Sequence, residues 1–354
     1  MHNLERAGVP LDGMATAVRD GTLSFSFLDA AAFDPFAEVS GETFQELSAR
    51  TGLPMELLKL SREAVGYVEP RPEDRVREDE LSVVPVIELL LSSGFRPVVI
   101  GRWLRVWADG LRRMTETETD AWSTELELPL LEGGMTENEM LEAQADIGSR
   151  LAPLLEEALL ATYHAHQEHA WTRSAVERVE SSLERAGLLE RLHRPPAVSF
   201  LDISGYTRLT EERGDAAAAD LAERLAALVR RSSKEYGGAP VKWLGDGVMF
   251  YFPAPGQSVV SALDMVEGVA THGLPPARVG IHAGPVVFQE GDYFGRTVNI
   301  AARIAGYTRP GEVVVSQEVV DAAVGVPVTF TEIGPVELKG VSGPIRLHTA
   351  RRGD

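Results

Sequence analysis

AVSFLDISGYTRLT, residues 197–210, and VKWLGDGVMFYF, residues 241–252, are the stretches on which the fold turns. Each holds a run of β-branched and aromatic residues with an aspartate beside turn-forming residues, which is the texture of strand and turn. Working outward, similar apolar runs recur at ARVGIHAGPVVF (277–288), EVVVS (312–316), VTFTEI (328–333) and IRLHTA (345–350). Two segments of helical period are interleaved, DAAAADLAERLAALVRRSSKEYG (215–237) and GRTVNIAARIAGYT (295–308). Strands alternating with helices predict an α/β or α+β domain with a covered sheet.

Upstream the texture is helical. HRPP at 193–196 is the clearest punctuation, because two prolines end whatever helix precedes them. Before it come SGETFQELSARTGLPMELLKLSREAVG (40–66), DELSVVPVIELLLSSG (79–94) and RPVVIGRWLRVWADGLRRM (96–114). In the last, Leu104, Trp107 and Leu111 recur at helical spacing beside Trp103 and are expected to form a core-facing stripe. Residues 141–192 keep the helical period almost unbroken and predict one or two long helices leading into the second domain. The expected division is a helical region over 1–165, a connecting helix over 166–194 and the strand-rich domain over 195–354.

Composition narrows the function classes. The chain has 354 residues, no cysteine and a formal charge of −19. Residues 1–196 hold 35 acids and 19 bases, a balance of −16, while residues 197–354 hold 18 and 15, a balance of −3. The first half should therefore repel nucleic acid and anionic membranes. The second is near neutral, as a domain admitting a polyanion needs to be. The longest apolar stretch, SVVPVIELLLSSGF, is interrupted by Glu88 and is too short to span a bilayer. With no secretory signal in MHNLERAGVPLDG and no disulfide chemistry, the expected compartment is the cytoplasm, with no membrane insertion.

Asp202 is delivered at the end of an apolar strand, and Asp246 lies between Gly245 and Gly247 where a hairpin tip is expected. Asp-Gly is also an ordinary hairpin turn, so Asp246 alone is ambiguous. Two strand-end carboxylates converging on one spot would suit Mg²⁺ or Mn²⁺, which take oxygen ligands and bind substrate phosphates.

FLDISGYTRLT, VKWLGDGVMFYF, GIHAGPV and GDYFGRTVNIAARI resemble, in order and spacing, the signature segments of class III nucleotidyl cyclases. The likeness covers roughly residues 195–350. It implies a ferredoxin-like palm with a βααβ core, so that the whole chain is α+β: an all-helical N-terminal domain followed by a cyclase domain. It also implies an adenylate cyclase making 3′,5′-cyclic AMP and pyrophosphate from ATP, in sites shared by two chains of a homodimer. Asp202 and Asp246 would hold two divalent cations per site, Mg²⁺ or Mn²⁺. Lys242 and Asp292 would read the base. An ammonium and a carboxylate complement adenine's N1 acceptor and 6-amino donor, whereas guanine offers the opposite pattern. Asn299 would position the ribose, Arg303 would stabilise charge on the α-phosphate, and Lys339 in ELKG would reach the terminal phosphates. Guanylate cyclase chemistry, or a catalytically silent nucleotide-sensing module, are the alternatives.

Residues 36–165 resemble, in helix pattern and order, the helical regulatory domains ahead of some actinobacterial cyclases. ELSARTGLPMELLKL (46–60) has a helix-turn-helix look with Gly52 at the turn. Its second helix sets Lys59 and Arg62 against Glu56 and Glu63, so DNA binding is not expected. In YHAHQEH (163–169), His164, His166 and His169 are either exposed polar residues or a pH switch on the helix leading to the cyclase. His166 and His169 share a helix face while His164 lies about 160° from His166, which argues against a three-ligand metal site. The regulatory ligand is not legible.

Overall fold

The computed structural model describes residues 11–20, 39–188, 195–206, 212, 214–245 and 247–353. Asp246, the start of HRPP, the TRLT segment and the first ten residues lie outside the described residues. The chain divides into two compact units, Met1–Leu189 and Glu190–Asp354.

Among its described residues, the first unit's regular structure is helical apart from one short ribbon. Helix α1 covers Leu11–Arg19 and strand β1 covers Val39–Thr43. Helices α2 (Phe44–Thr51) and α3 (Met55–Ala64) follow. Strand β2 (Arg75–Arg77) pairs antiparallel with β1. The SGET segment, expected to be helical, is therefore strand. Thr43 ends it as the N-cap of α2, its hydroxyl accepting from the Glu46 N–H while the Glu46 carboxylate accepts from the Thr43 N–H. Gly52 closes α2 at φ 71°, a left-handed cap that a side chain would strain.

Helices α4 (Glu78–Leu81), α5 (Val84–Ser92) and α6 (Pro97–Trp122) come next. Phe44, Leu47, Leu57, Leu58, Ile87, Ile100 and Leu104 make the core of this unit. Helix α6 seats directly on α3, since a Cβ at Gly101 would come within 2.2 Å of the Leu60 side chain. The expected stripe is only partly a core stripe. Leu104 is buried, but Trp107 and Trp103 are each 44% exposed and Leu111 37%. Helix α6 has 26 residues and its core partners α3 and α5 have 10 and 9, so its middle turns outrun them, while at its far end Thr119 and Trp122 line a cavity with Gln144 and Leu151 of the long helix that follows. The two tryptophans stack on each other instead, 6.1 Å apart. A π-helical segment, Ser123–Glu127, leads into α7 (Leu128–Glu132). Helix α8, Glu137–Arg185, then runs for 49 residues and passes through 165 and 166 without a break. No helix among the described residues is long and apolar enough to cross a membrane.

The second unit holds β3 (Ala197–Ile203), α9 (Asp215–Glu235), β4 (Ala239–Leu244), β5 (Gly247–Phe252), α10 (Pro255–Thr271) and β6 (Ala277–Ala283). After these come β7 (Val287–Gln289), β8 (Asp292–Phe294), α11 (Arg296–Tyr307), β9 (Val313–Ser316), α12 (Gln317–Ala322), β10 (Val328–Val336) and β11 (Ile345–Arg352). Seven strands form one sheet in the order β10-β11-β9-β6-β3-β5-β4, antiparallel except for the β6–β9 pair. The ribbon β7–β8 pairs only with itself. This is the expected α+β arrangement of a helical N-terminal part followed by a mixed-sheet domain.

Alternation along the strands sorts the two faces. Ala197, Leu201, Val248, Phe250, Phe252, Val279 and Ile281 pack against Leu225 and Leu228 of α9 and Val259 and Met265 of α10. On the other face Val198 and Met249 pack with Ala301 of α11, and Ile300 and Ile304 of that helix pack with Val314 and Leu347. Helix α11 approaches this face very closely over Gly280, where a Cβ would lie 2.0 Å from the Ala305 nitrogen.

Candidate active site

Asp202 is the sixth residue of β3, on the α11 face with Val198 and Phe200. The register sets it opposite Gly247 of β5 on one side and Arg278 of β6 on the other. Its carboxylate Oδ2 accepts from Arg278 Nε at 2.7 Å and also from Nη2. Both side chains are about one-third exposed, 27% for the aspartate and 31% for the arginine. The lack of a side chain at Gly247 leaves room beside the other oxygen. A Cβ there would come within 3.1 Å of the Leu201 carbonyl oxygen, 3.7 Å of the Leu244 carbonyl and 4.0 Å of Asp202 Oδ1. The cradle is thus lined by oxygens, the donor type that Mg²⁺ and Mn²⁺ favour. The described residues contain no group of three His, Asp or Glu that would enclose a cation. A hard cation bound by one or two carboxylates and completed by substrate phosphates needs no such cage, so Asp202 fits.

Lys242 and Asp292 come together. Lys242 lies in β4 opposite Met249, after a register shift between Pro240 and Lys242, which puts it on the α11 face. Its ammonium donates to Asp292 Oδ2 across 50 residues of sequence. Asp292 opens β8, and its Oδ1 accepts from the Tyr293 N–H at 2.7 Å. The ammonium also sits 5.9 Å from the centre of the Phe294 ring. On β4 and the ribbon β7–β8, which carry the pair, Leu244, Val287, Phe288 and Phe294 are exposed. An apolar rim of this kind beside a charged pair marks a surface that meets something.

Asn299 and Arg303 sit one turn apart on α11, opposite the face that buries Ile300, Ala301 and Ile304. Both are exposed, and neither side chain has a hydrogen bond or ion pair among the described residues. Lys339 is exposed in the turn between β10 and β11, likewise without a partner among the described residues. His164, His166 and His169 are all exposed on α8.

A cavity of about 580 Å³ lies on this unit, lined by His282, Gly284, Phe294, Arg296, Thr297 and Glu318 among others. None of Asp202, Lys242, Asp292, Asn299 or Arg303 lines it. His282 is buried in β6, with Nδ1 2.7 Å from Ser316 Oγ and 3.6 Å from Glu318. Burial holds its pKa below the ordinary histidine value, against the pull of Glu318 and with help from Arg296.

Arg278 is the residue that the sequence reading missed. A lone charge inside ARVGIHA was a visible signal, but only the β3–β6 register shows that it faces Asp202.

Residues 191–350 match the model of the adenylate and guanylate cyclase catalytic domain, and residues 37–166 match that of the adenylate cyclase regulatory domain. The pH-sensitive adenylate cyclase of Mycobacterium tuberculosis is 30% identical over 321 residues, covering 87% of this chain and 78% of that protein. An adenylate cyclase of Streptomyces coelicolor is 28% identical over 255 residues, 72% of this chain and 64% of its own length. Among solved structures, the adenylyl cyclase CyaB from P. aeruginosa aligns with a TM-score of 0.41 at 25% identity, over 47% of this chain and 98% of that one. With both domain models matched in order and one relative similar along most of its length, the chain belongs to the adenylate cyclase family, with a regulatory domain ahead of a class III catalytic domain.

Proposed function

We propose that the protein converts ATP to 3′,5′-cyclic AMP and pyrophosphate in sites formed between two copies of the chain, each site using two divalent cations. The observation that carries this reading is the Lys242–Asp292 pair: one donor and one acceptor held side by side at an apolar, exposed rim. Lys242 donates to adenine N1 and Asp292 accepts from the 6-amino group. Guanine would meet a donor with its N1–H and an acceptor with its O6, leaving desolvated groups unpaired.

Two features support a shared site. Asn299 and Arg303 project from the exposed side of α11 without partners among the described residues, and none of the assigned residues lines the cavity of the single chain. In a head-to-tail homodimer, Asp202 and Asp246 of one chain would complete a site with Lys242, Asp292, Asn299 and Arg303 of the other. Asn299 orients the ribose so that its 3′-oxygen lies in line with the α-phosphorus. That oxygen forms the new P–O bond as the bond to the bridging oxygen breaks, pyrophosphate leaves with the electron pair, and the hydroxyl proton passes to solvent. Arg303 stabilises the charge gathering on the α-phosphate oxygens, and Lys339 contacts the departing phosphates. Asp202 and Asp246 would hold Mg²⁺ or Mn²⁺, which when bound supply Lewis-acid stabilisation of the phosphates and ease ionisation of the hydroxyl.

In this reading residues 1–165 regulate and 166–194 transmit, with His164, His166 and His169 on α8, at the junction of the two, as a candidate pH switch. Product formation by the purified chain with ATP or GTP and each cation tests the assignment. Cyclic AMP from ATP, with little product from GTP, is expected. Nucleotide binding without product would overturn it in favour of a silent sensor.

A further inference from the structure

Asp292 stands on the ribbon β7–β8, which has no backbone ladder to the seven-stranded sheet that carries Lys242. A free two-stranded ribbon is too weak to fix an atom to the tolerance base recognition requires. Something other than main-chain pairing must hold it in place.

Besides the Lys242–Asp292 ion pair itself, the attachment is aromatic. The Tyr293 ring lies flat on the Tyr251 ring, with centroids 4.3 Å apart and planes within 3° of parallel. Phe288, opposite Tyr293 in the ribbon, closes on the same ring at 5.0 Å and 54°. Tyr251 is in the body of β5, paired with Val198 on one side and Ala239 on the other. It is two residues beyond Met249, the partner of Lys242, and so shares a face with that lysine. The far end of the relay is equally short, because the Tyr293 N–H holds Asp292 Oδ1 at 2.7 Å. A rigid strand thus carries a ring, the ring seats the ribbon, and the ribbon's backbone pins the carboxylate next to Lys242.

We infer that Tyr251, through Tyr293, is a positioning residue for choice of nucleobase. It touches no substrate; it sets where Asp292 stands relative to Lys242. This rests on the reading of Lys242 and Asp292 as the base-reading pair. Loss of the flat ring should leave the domain folded and the α11 residues in place, while the acceptor drifts relative to the donor.

The test compares full-length wild type with Tyr251→Leu, Tyr251→Phe and Tyr293→Leu, using kcat and KM for ATP and GTP, displacement of a fluorescent ATP analogue by each nucleotide, and melting temperature. Leucine at 251 or 293 should cut the ATP-to-GTP ratio of kcat/KM by roughly three- to tenfold, the scale an aromatic pair of this geometry is worth. The change should appear mainly in KM and in displacement, and Tyr251→Phe, which keeps the ring, should lose less of the ratio than Tyr251→Leu. If Tyr251→Leu does not fold, Tyr293→Leu, on the ribbon outside the sheet, decides the matter. An unchanged ratio in a folded leucine variant, with the wild type selective, overturns the positioning role alone. A wild type without base preference, or one whose preference survives Lys242→Ala, overturns the base-reading assignment and this inference with it.

Discussion

Gly280→Ala perturbs the catalytic arrangement without touching any assigned residue. The added Cβ would stand 2.0 Å from the Ala305 nitrogen, 2.5 Å from its Cα and 2.6 Å from the Ile304 carbonyl carbon. These are helix backbone atoms, so no side chain can rotate aside. Restoring an ordinary contact of about 3.5 Å requires α11 to move off the sheet by about 1.5 Å. Overpacking of this kind costs about 1–3 kcal/mol, and the upper end applies where backbone must yield. Asn299 and Arg303 ride on the same helix and would move with it, whereas Lys242 and Tyr251 stand on β4 and β5. A misplacement of about 1 Å at the reacting atoms can cost on the order of 100-fold in rate. The expected outcome is a folded variant melting several degrees lower, with kcat down on the order of 100-fold and KM for ATP changed far less. Steady-state cyclase assays and a thermal melt on the same preparation decide it. Wild-type kcat with a wild-type melt would refute the claim that the seating of α11 on Gly280 positions Asn299 and Arg303.

Two further predictions concern pH. Burial keeps the folded-state pKa of His282 below its unfolded value of about 6.5. The stability this confers is therefore full above about pH 6.5 and is lost as pH falls through that value toward the folded pKa. Wild type should lose melting temperature between pH 7.5 and 5.5 more steeply than His282→Gln, whatever the variant's stability at pH 7.5; equal slopes would contradict this. For the exposed histidines of α8, replacing His164, His166 and His169 by Gln should flatten the pH profile of activity across about pH 5.5–8 if they act as a switch. An unchanged profile would remove them from regulation.

Much of the second unit was legible because its strands are short, β-branched and separated by turn signals, and because the signature segments keep their order. The Asp202 strand, the Gly52 turn and the exposed pairing of Asn299 with Arg303 were all within reach of local pattern. Helix α10 was missed for a physical reason: Val259, Ala262, Met265 and also Ser258 and Ser261 are buried, so it lacks the polar face that gives a helix its period. The strand β8 is only three residues long, DYF, and no periodicity resolves so short an element. The α6 stripe misled because periodicity tells which face is apolar, not how far along the helix a partner extends. Arg278 and Tyr251 depend on cross-strand register and on the stacking of a free ribbon, neither of which one strand's sequence contains.

The most direct measurement is cyclic AMP formation by Asp202→Ala and Arg303→Ala, each alone and then mixed. If each site draws Asp202 from one chain and Arg303 from the other, each variant is silent by itself. Random pairing of equal amounts makes half the dimers mixed, each with one intact site of two, so activity should return to about one quarter of wild type. A mixture as silent as its parts, from variants shown to be folded and to exchange subunits, would contradict a site shared between chains.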